Sequence, residues 1–165
     1  MTLRRKCATR ALVLLALAAP IAGAQAAQDE RVQPELRVDA IMAAHRASLH
    51  AGGGFQIPAG YYVRLGFVGA GGLDVVSGGT QPSGRLDVTG RFLFDPFRQN
   101  QWGLSAGAGV SLRAHARDRV RPYLLTVIDL EGPRSARGIV PAFQLGLGGG
   151  VRIGAALRGA ARGAR

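Results

Sequence analysis

The sequence predicts an all-β protein, an antiparallel up-and-down meander closing into a small β-barrel. Three observations predict it. Trp102 to Leu112 alternates strictly, with Trp102, Leu104, Ala106, Ala108, Val110 and Leu112 on one parity and Gly103, Ser105, Gly107, Gly109 and Ser111 on the other. A strand sends successive side chains to opposite faces, so this segment has one apolar face and one nearly bare face. Further segments repeat the alternation, and stretches rich in glycine and proline separate them. Beyond the amino-terminal segment, the prolines fall in connections, at strand starts or in the polar lead-in, where a missing ladder donor does least harm.

The chain opens on a segment with the pattern of an export signal. Arg4, Arg5, Lys6 and Arg10 form a basic region, Ala11 to Ala19 an apolar run, and Ala24-Gln25-Ala26 a small-x-small cleavage pattern. Cleavage is expected after Ala26, with Ala22-Gly23-Ala24 as the second choice, which makes residues 1–26 a signal peptide. The apolar run is shorter than the ~20 residues a spanning helix needs. Residues 27–35, polar and containing Pro34, read as a flexible lead-in. The barrel domain is expected over 36–157, followed by a basic tail over 158–165.

Six strand-like segments are visible. The first, Leu36 to Ile57, holds good helix formers in its first half, and a short helix there is the alternative. Strand is preferred because Ala47, Leu49, Ala51, Gly53, Phe55 and Ile57 alternate with Ser48, His50, Gly52, Gly54 and Gln56. The second runs from Tyr61 to Val76 and opposes Tyr61, Val63, Leu65 and Phe67 to Tyr62, Arg64, Gly66 and Val68. In the third, Arg85 to Asp95, Leu86, Val88, Phe92 and Phe94 oppose Arg85, Asp87, Thr89 and Arg91. The fourth is Gln101 to Ala116. The fifth, Pro122 to Leu130, is apolar on both faces and assigns neither. The sixth, Val140 to Leu157, sets Phe143, Leu145, Leu147, Val151 and Ile153 against Gln144, Gly146, Gly148, Gly150, Arg152 and Gly154. Pro58-Ala59-Gly60, Ser77 to Gly84, Asp95-Pro96 and Glu131-Gly132-Pro133 are the turn-formers between them.

A sheet with one greasy face can bury it as a soluble core or present it to lipid. The other face decides between them. Glycine in a strand costs roughly 0.5–1 kcal/mol against alanine, so an evenly spaced glycine series facing water would weaken the sheet. Inside a narrow closed barrel the same glycines relieve crowding. Arg64, Asp87, Arg91, Arg113 and Arg152 then become lumen-facing polar candidates. The second, third, fourth and sixth segments also meet the ~9–11 residues a tilted spanning strand needs. Phe55, Tyr61 and Tyr62 flank the first turn, Phe94, Phe97 and Trp102 the third, and Phe143 follows the fifth. In a meander these turns share one rim, so Tyr61, Tyr62, Phe94, Trp102 and Phe143 are candidates for an interfacial aromatic girdle, with Tyr123 at the other edge.

Cys7 is the only cysteine and lies within the signal, so about 139 residues, enough for one domain, remain without disulfide or thiol chemistry. Lys6 is the only lysine. The formal charge of +11 falls to +7 without the basic signal residues. The arginines are scattered rather than gathered on a helix, which argues against nucleic-acid binding. The exception is Arg113, Arg117, Arg119 and Arg121 with Asp118, a basic turn suited to anionic lipid headgroups or cell-wall polymer. His45 and His50 have no carboxylate between them and His115 lies among arginines, so no metal set is expected. Gly52-Gly53-Gly54 and Gly148-Gly149-Gly150 lead into no helix start or Lys-Ser/Thr pair, and read as strand glycines rather than phosphate loops. No cofactor set is visible. Ser48 and His50 share a strand face, a geometry open to a serine–histidine pair, but no third member is identifiable.

With its cleavable signal, the alternation in Trp102 to Leu112 and in Phe143 to Gly154, and its turn-rim aromatics, the chain resembles the small bacterial outer-membrane β-barrel proteins of the eight-stranded OmpA-like type. That resemblance implies eight strands, closure of the first strand on the last, both termini in the periplasm with the 113–121 turn on the same rim, polar loops outside, and the lipid bilayer of the outer membrane as partner. Two features depart from it. Six segments are visible, so Leu36 to Ile57 hides a hairpin, or the barrel is unusually small, or another chain completes it. The chain also ends on small and basic residues rather than on an aromatic one. The expected role is structural or interactive and not enzymatic. The alternatives are a soluble periplasmic β-barrel binding an apolar ligand, and a lipid-modifying barrel enzyme using Ser48 and His50.

Overall fold

Alternation of side chains decides the architecture, because every strand has one face it can bury and one it cannot. In the computed structural model, which describes residues 32–97, 99–115 and 118–159, eight antiparallel strands form a closed barrel in chain order. They are β1 (Gln33–Ala43), β2 (Arg46–Pro58), β3 (Val63–Val76), β4 (Gly79–Leu93), β5 (Gly103–His115), β6 (Asp118–Glu131), β7 (Val140–Leu147) and β8 (Val151–Arg158). Each pairs with the next, and β1 closes on β8 from Glu35↔Arg158 to Met42↔Val151. Residues 1–26, expected to be a signal peptide, and the tail beyond Gly159 lie outside the described residues.

Six segments become eight strands because the first and the sixth are each a hairpin. Leu36 to Ile57 turns at Ala44-His45, where neither glycine nor proline marks the reversal. Val140 to Leu157 turns at Gly148-Gly149-Gly150. These three are therefore not strand glycines: Gly149 and Gly150 have φ of 70° and 145°, a conformation that side chains with a Cβ rarely adopt. The expected domain limits shift as well. Gln33, Pro34 and Glu35 belong to β1 rather than to a lead-in, and Arg158 ends β8 rather than opening a tail.

Pro82 lies within β4, not in a connection; it pairs with Leu73 of β3, while the β4–β5 ladder begins only at Ser83. Pro122 likewise pairs across to β5 at Leu112, and β6 meets β7 only from Thr126 onward. Both prolines keep the side without a donor turned away from any ladder, as strand proline requires.

The apolar parity points outward on every strand. Leu104, Val110, Leu145 and Val151 are between 42% and 59% exposed, while Ser105 and Ser111 between them on the chain are at 1% and 0%. The fifth segment, undecided in sequence, resolves the same way: Leu124, Ile128 and Leu130 face out, and Leu125, Val127 and Asp129 face in. Inward glycines are where neighbouring strands crowd. A Cβ on Gly54, Gly72 or Gly109 would be driven into the backbone at Phe67, Leu49 or Val88, whereas Gly69 and Gly71, on the outer face, have open space.

The two ends of the barrel differ. Both described termini and the longer connections, 59–62, 94–102 and 132–139, share one rim. Among the described residues, the opposite rim carries tight turns at 44–45, 77–78 and 148–150, and the ends of β5 and β6 meet there. Arg113, near the end of β5, and Arg121, near the start of β6, bring the basic stretch to this rim, across the barrel from the described termini. The sequence expectation had put it beside them; the uncounted strand β1 reverses its side.

Candidate functional site: the charged lumen

The lumen holds ions rather than an apolar core. Six carboxylates (Glu35, Asp39, Asp74, Asp87, Asp129, Glu131) and six guanidiniums (Arg37, Arg85, Arg91, Arg113, Arg152, Arg158) are buried in it. A buried charge is tolerated only with a counter-charge and hydrogen bonds, and the strand parities supply both. Glu35, Arg37 and Asp39 alternate with outward Leu36 and Val38 on β1, so three charges of alternating sign enter from a single strand.

Towards the rim with the termini, Arg158 is the hub. Its Nε donates to Glu35 at 2.8 Å, Nη1 to Glu131 at 2.6 Å and Nη2 to Asp129 at 3.3 Å. Gln56 Nε2 donates to Glu35 at 2.5 Å, and Gln144 Nε2 to Asp129 at 2.8 Å, while Arg37 donates to Gln144 Oε1. Arg91 lies 3.3 Å from Asp129 and 3.8 Å from Glu35. Arg64 lies 3.5 Å from Glu131, beside a rim cleft that Asp95 and Ser105 also line. Midway, Arg85 bridges Asp39 of β1 and Asp87 of its own strand. Asp87 also accepts Ser111 Oγ at 2.6 Å and Arg152 Nη1 at 2.8 Å.

The tight-turn end is built differently. Ser83 Oγ donates to Asp74 Oδ1 at 2.9 Å and lies 2.9 Å from His50 Nε2. His115 Nδ1 is 2.5 Å from Asp74 Oδ2, and Arg46 Nη1 is 2.7 Å from His115 Nε2. Arg113 Nη2 donates to Ser48 Oγ at 2.9 Å.

Arg64, Asp87, Arg91, Arg113 and Arg152 thus all point into the lumen, and Asp87 and Arg152 are in direct contact. The sequence reading missed the carboxylates that answer Arg64 and Arg91, namely Glu35, Asp129 and Glu131, and also missed the neighbouring lumen residues Asp39 and Arg158. Glu35 and Arg158 had been placed outside the barrel, and Arg37 and Asp39 lay in the segment whose helix formers obscured its alternation. The period-two spacing of Glu35, Arg37 and Asp39 was the signal available. Ser48 and His50 share the inner face, but Ser48 engages Arg113 and His50 engages Ser83.

On the outer face, Tyr61, Tyr62 and Phe94 gather with Phe92 and Phe97 near the rim that carries the termini. Tyr62 stacks on Phe92 at 5.6 Å between centroids, Phe94 meets Phe92 edge-on at 5.7 Å, and Tyr61 lies 6.1 Å from Phe97. Trp102 and Phe143 stand exposed further round the same end. Among the described residues, no three histidine, cysteine or acidic groups converge as a metal site would require. No protein-family model matches the chain, and no curated protein is significantly similar to it.

Proposed function

We propose that this chain is an outer-membrane β-barrel protein whose role is structural or interactive rather than enzymatic. The observation that carries the reading is the inverted distribution of polarity: charge inside, an apolar surface around the outside. Placing paired ions in a lumen costs desolvation that water on the outer face would not exact. A soluble monomer rarely exposes a contiguous apolar patch beyond a few hundred Å², and here apolar side chains face outward on all eight strands. Such an exterior suits hydrocarbon, and the aromatic cluster at one rim suits the boundary between hydrocarbon and headgroups. The composition of residues 1–26 supports export, and the basic tight-turn rim, which lies opposite the described termini, suits anionic headgroups.

A soluble barrel carrying an apolar ligand would need the apolar parity inside, where Arg85, Asp87 and Arg152 stand instead. A lipid-modifying enzyme working through Ser48 and His50 would need them within reach of lipid, and both are buried behind the wall. Membrane fractionation with a heat-modifiability gel tests the reading. The mature chain is expected in the membrane fraction, released by detergent, with a folded form that migrates apart from the boiled one. A chain soluble without detergent and showing no shift would overturn it.

A further inference from the structure

The wall of the barrel is not equally tall all round. β2 to β6 run for 13 to 15 residues, whereas β7 and β8 have 8 each. At the rim with the termini the ends are nearly level: Glu131, the last residue of β6, pairs with Ala142 near the start of β7, and Val140 pairs with Arg158. The difference therefore falls at the tight-turn rim. There β6 continues for eight residues, Asp118 to Leu125, past its last pair with β7, Thr126↔Leu147. Strand tilt staggers neighbours by about one or two residues, so this is a step in the wall. Among the described residues, no strand pairs with that stretch of β6 on the side away from β5.

Eight residues at ~3.3 Å each, tilted by ~40°, rise about 20 Å, against ~25 Å for the apolar band of an outer-membrane barrel, whereas the 14 residues of β3 rise about 35 Å. β3 and β4 stand across the barrel from β7 and β8. They carry the Tyr62–Phe92–Phe94 aromatics near one rim and the outward Leu73 and Val75 near the other, so the tall side is apolar over its length. On the short side Phe143 marks the aromatic end, and the strand stops four residues on, at Leu147. Gly148-Gly149-Gly150 then turns the chain with no apolar side chain to cover its peptide groups, which hydrocarbon does not tolerate. The free stretch of β6 meets the same limit, and Val120 and Leu124 on its outward face are 58% and 84% exposed. Pro122 in its middle has no N–H to offer, which blunts that edge against a second strand. Resting on the outer-membrane reading above, we infer that the β7–β8 side is a lipid-contact surface that holds the bilayer locally thin. Headgroups and water descend over the Gly148 to Gly150 turn to the free edge of β6, while hydrocarbon keeps its full depth on the β3–β4 side. Thinning of the bilayer is how a wall shorter than the hydrocarbon is accommodated, at modest cost.

Cys7 is the only cysteine, so a chain beginning at residue 27 takes single thiols cleanly. Leu73→Cys, Leu124→Cys and Leu157→Cys, all at exposed outward positions, are each labelled with a nitroxide and folded into dioleoyl phosphatidylcholine vesicles. Collisions with oxygen, which concentrates in hydrocarbon, are compared with collisions with a water-soluble nickel complex. Leu73 lies three residues from the tight-turn end of β3, and Leu124 six residues from that end of β6. In a flat slab Leu124 is therefore the deeper of the two. The expected result is the inverse order, with nickel favoured at Leu124 and oxygen at Leu73, and with Leu157 near the boundary at the other rim. The slab order overturns the inference. So does a Leu124 label reached by neither reagent, the mark of a second copy seated on the edge, or a Leu157 label at the bilayer centre, the mark of a barrel that tilts instead. The heat-modifiable band shows that each variant folds. Chains that never enter vesicles overturn the outer-membrane reading and this inference with it, whereas chains that insert and keep the slab order overturn this inference alone.

Discussion

At the scale of single residues, what matters is which way each side chain is sent and whether it finds a partner. Arg158 holds three carboxylates from β1 and β6. Removing one partner of a buried ionic set strands the rest, at a cost of about 3–5 kcal/mol. Arg158→Met is expected to lose stability on that scale in urea titrations of the folded barrel. Glycine offers a cleaner contrast, since the same substitution has opposite consequences on the two faces. Gly72→Ala drives a methyl group into the Leu49 backbone and is expected to cost ~1–3 kcal/mol as an overpacking change. Gly71→Ala, its outward neighbour, has open space and is expected to be neutral or to gain ~0.5–1 kcal/mol from reduced unfolded-state freedom. Paired unfolding midpoints for the two variants decide whether lumen crowding sets the glycine pattern.

At the scale of the element, each strand is a two-sided object, and most of that was legible in the sequence. The face assignments of β3, β4, β5 and β8 follow from parity alone, because a single charge such as Asp87 or Arg152 fixes the register of every neighbour on its strand. The reversal at Ala44-His45 was not legible, since the turn contains no residue that demands unusual backbone angles and the alternation runs up to it from both sides. Gly148 to Gly150 misled in the opposite sense: a triplet compatible with a crowded strand was a turn, and only the φ values distinguish the two. The ion-pair partners were hidden for a different reason. Parity places a charge inside but does not say which strand across the lumen answers it; that depends on the closure of β1 on β8. The outward face makes its own prediction. Leu145→Arg, on β7, is expected to cost about 2–4 kcal/mol if that face meets hydrocarbon near the bilayer centre. Its stability in lipid vesicles measures this, and a loss near zero would count against a lipid-facing surface.

At the scale of the whole molecule, the barrel is held shut from within. Salt links from Glu35 to Arg158 and from Asp39 to Arg85 tie β1 to the strand that closes the circle and to β4 on the far side. With Arg85, Asp87 and Arg152 across its middle, the lumen is expected to pass no steady ionic current, which planar-bilayer recording of the reconstituted chain checks. The unequal ends carry a separate consequence. The shortest connections lie on one rim in chain order, so β1–β2, β3–β4, β5–β6 and β7–β8 are four paired hairpins strung together by the longer connections of the other rim. The chain is therefore divisible between hairpins: a break at Ser135-Ala136 leaves three hairpins whole on one piece and the fourth whole on the other. Two such fragments, refolded together, are expected to complement each other and restore the heat-modifiable barrel, whereas a break within a strand would leave neither piece with a complete set of edges to offer.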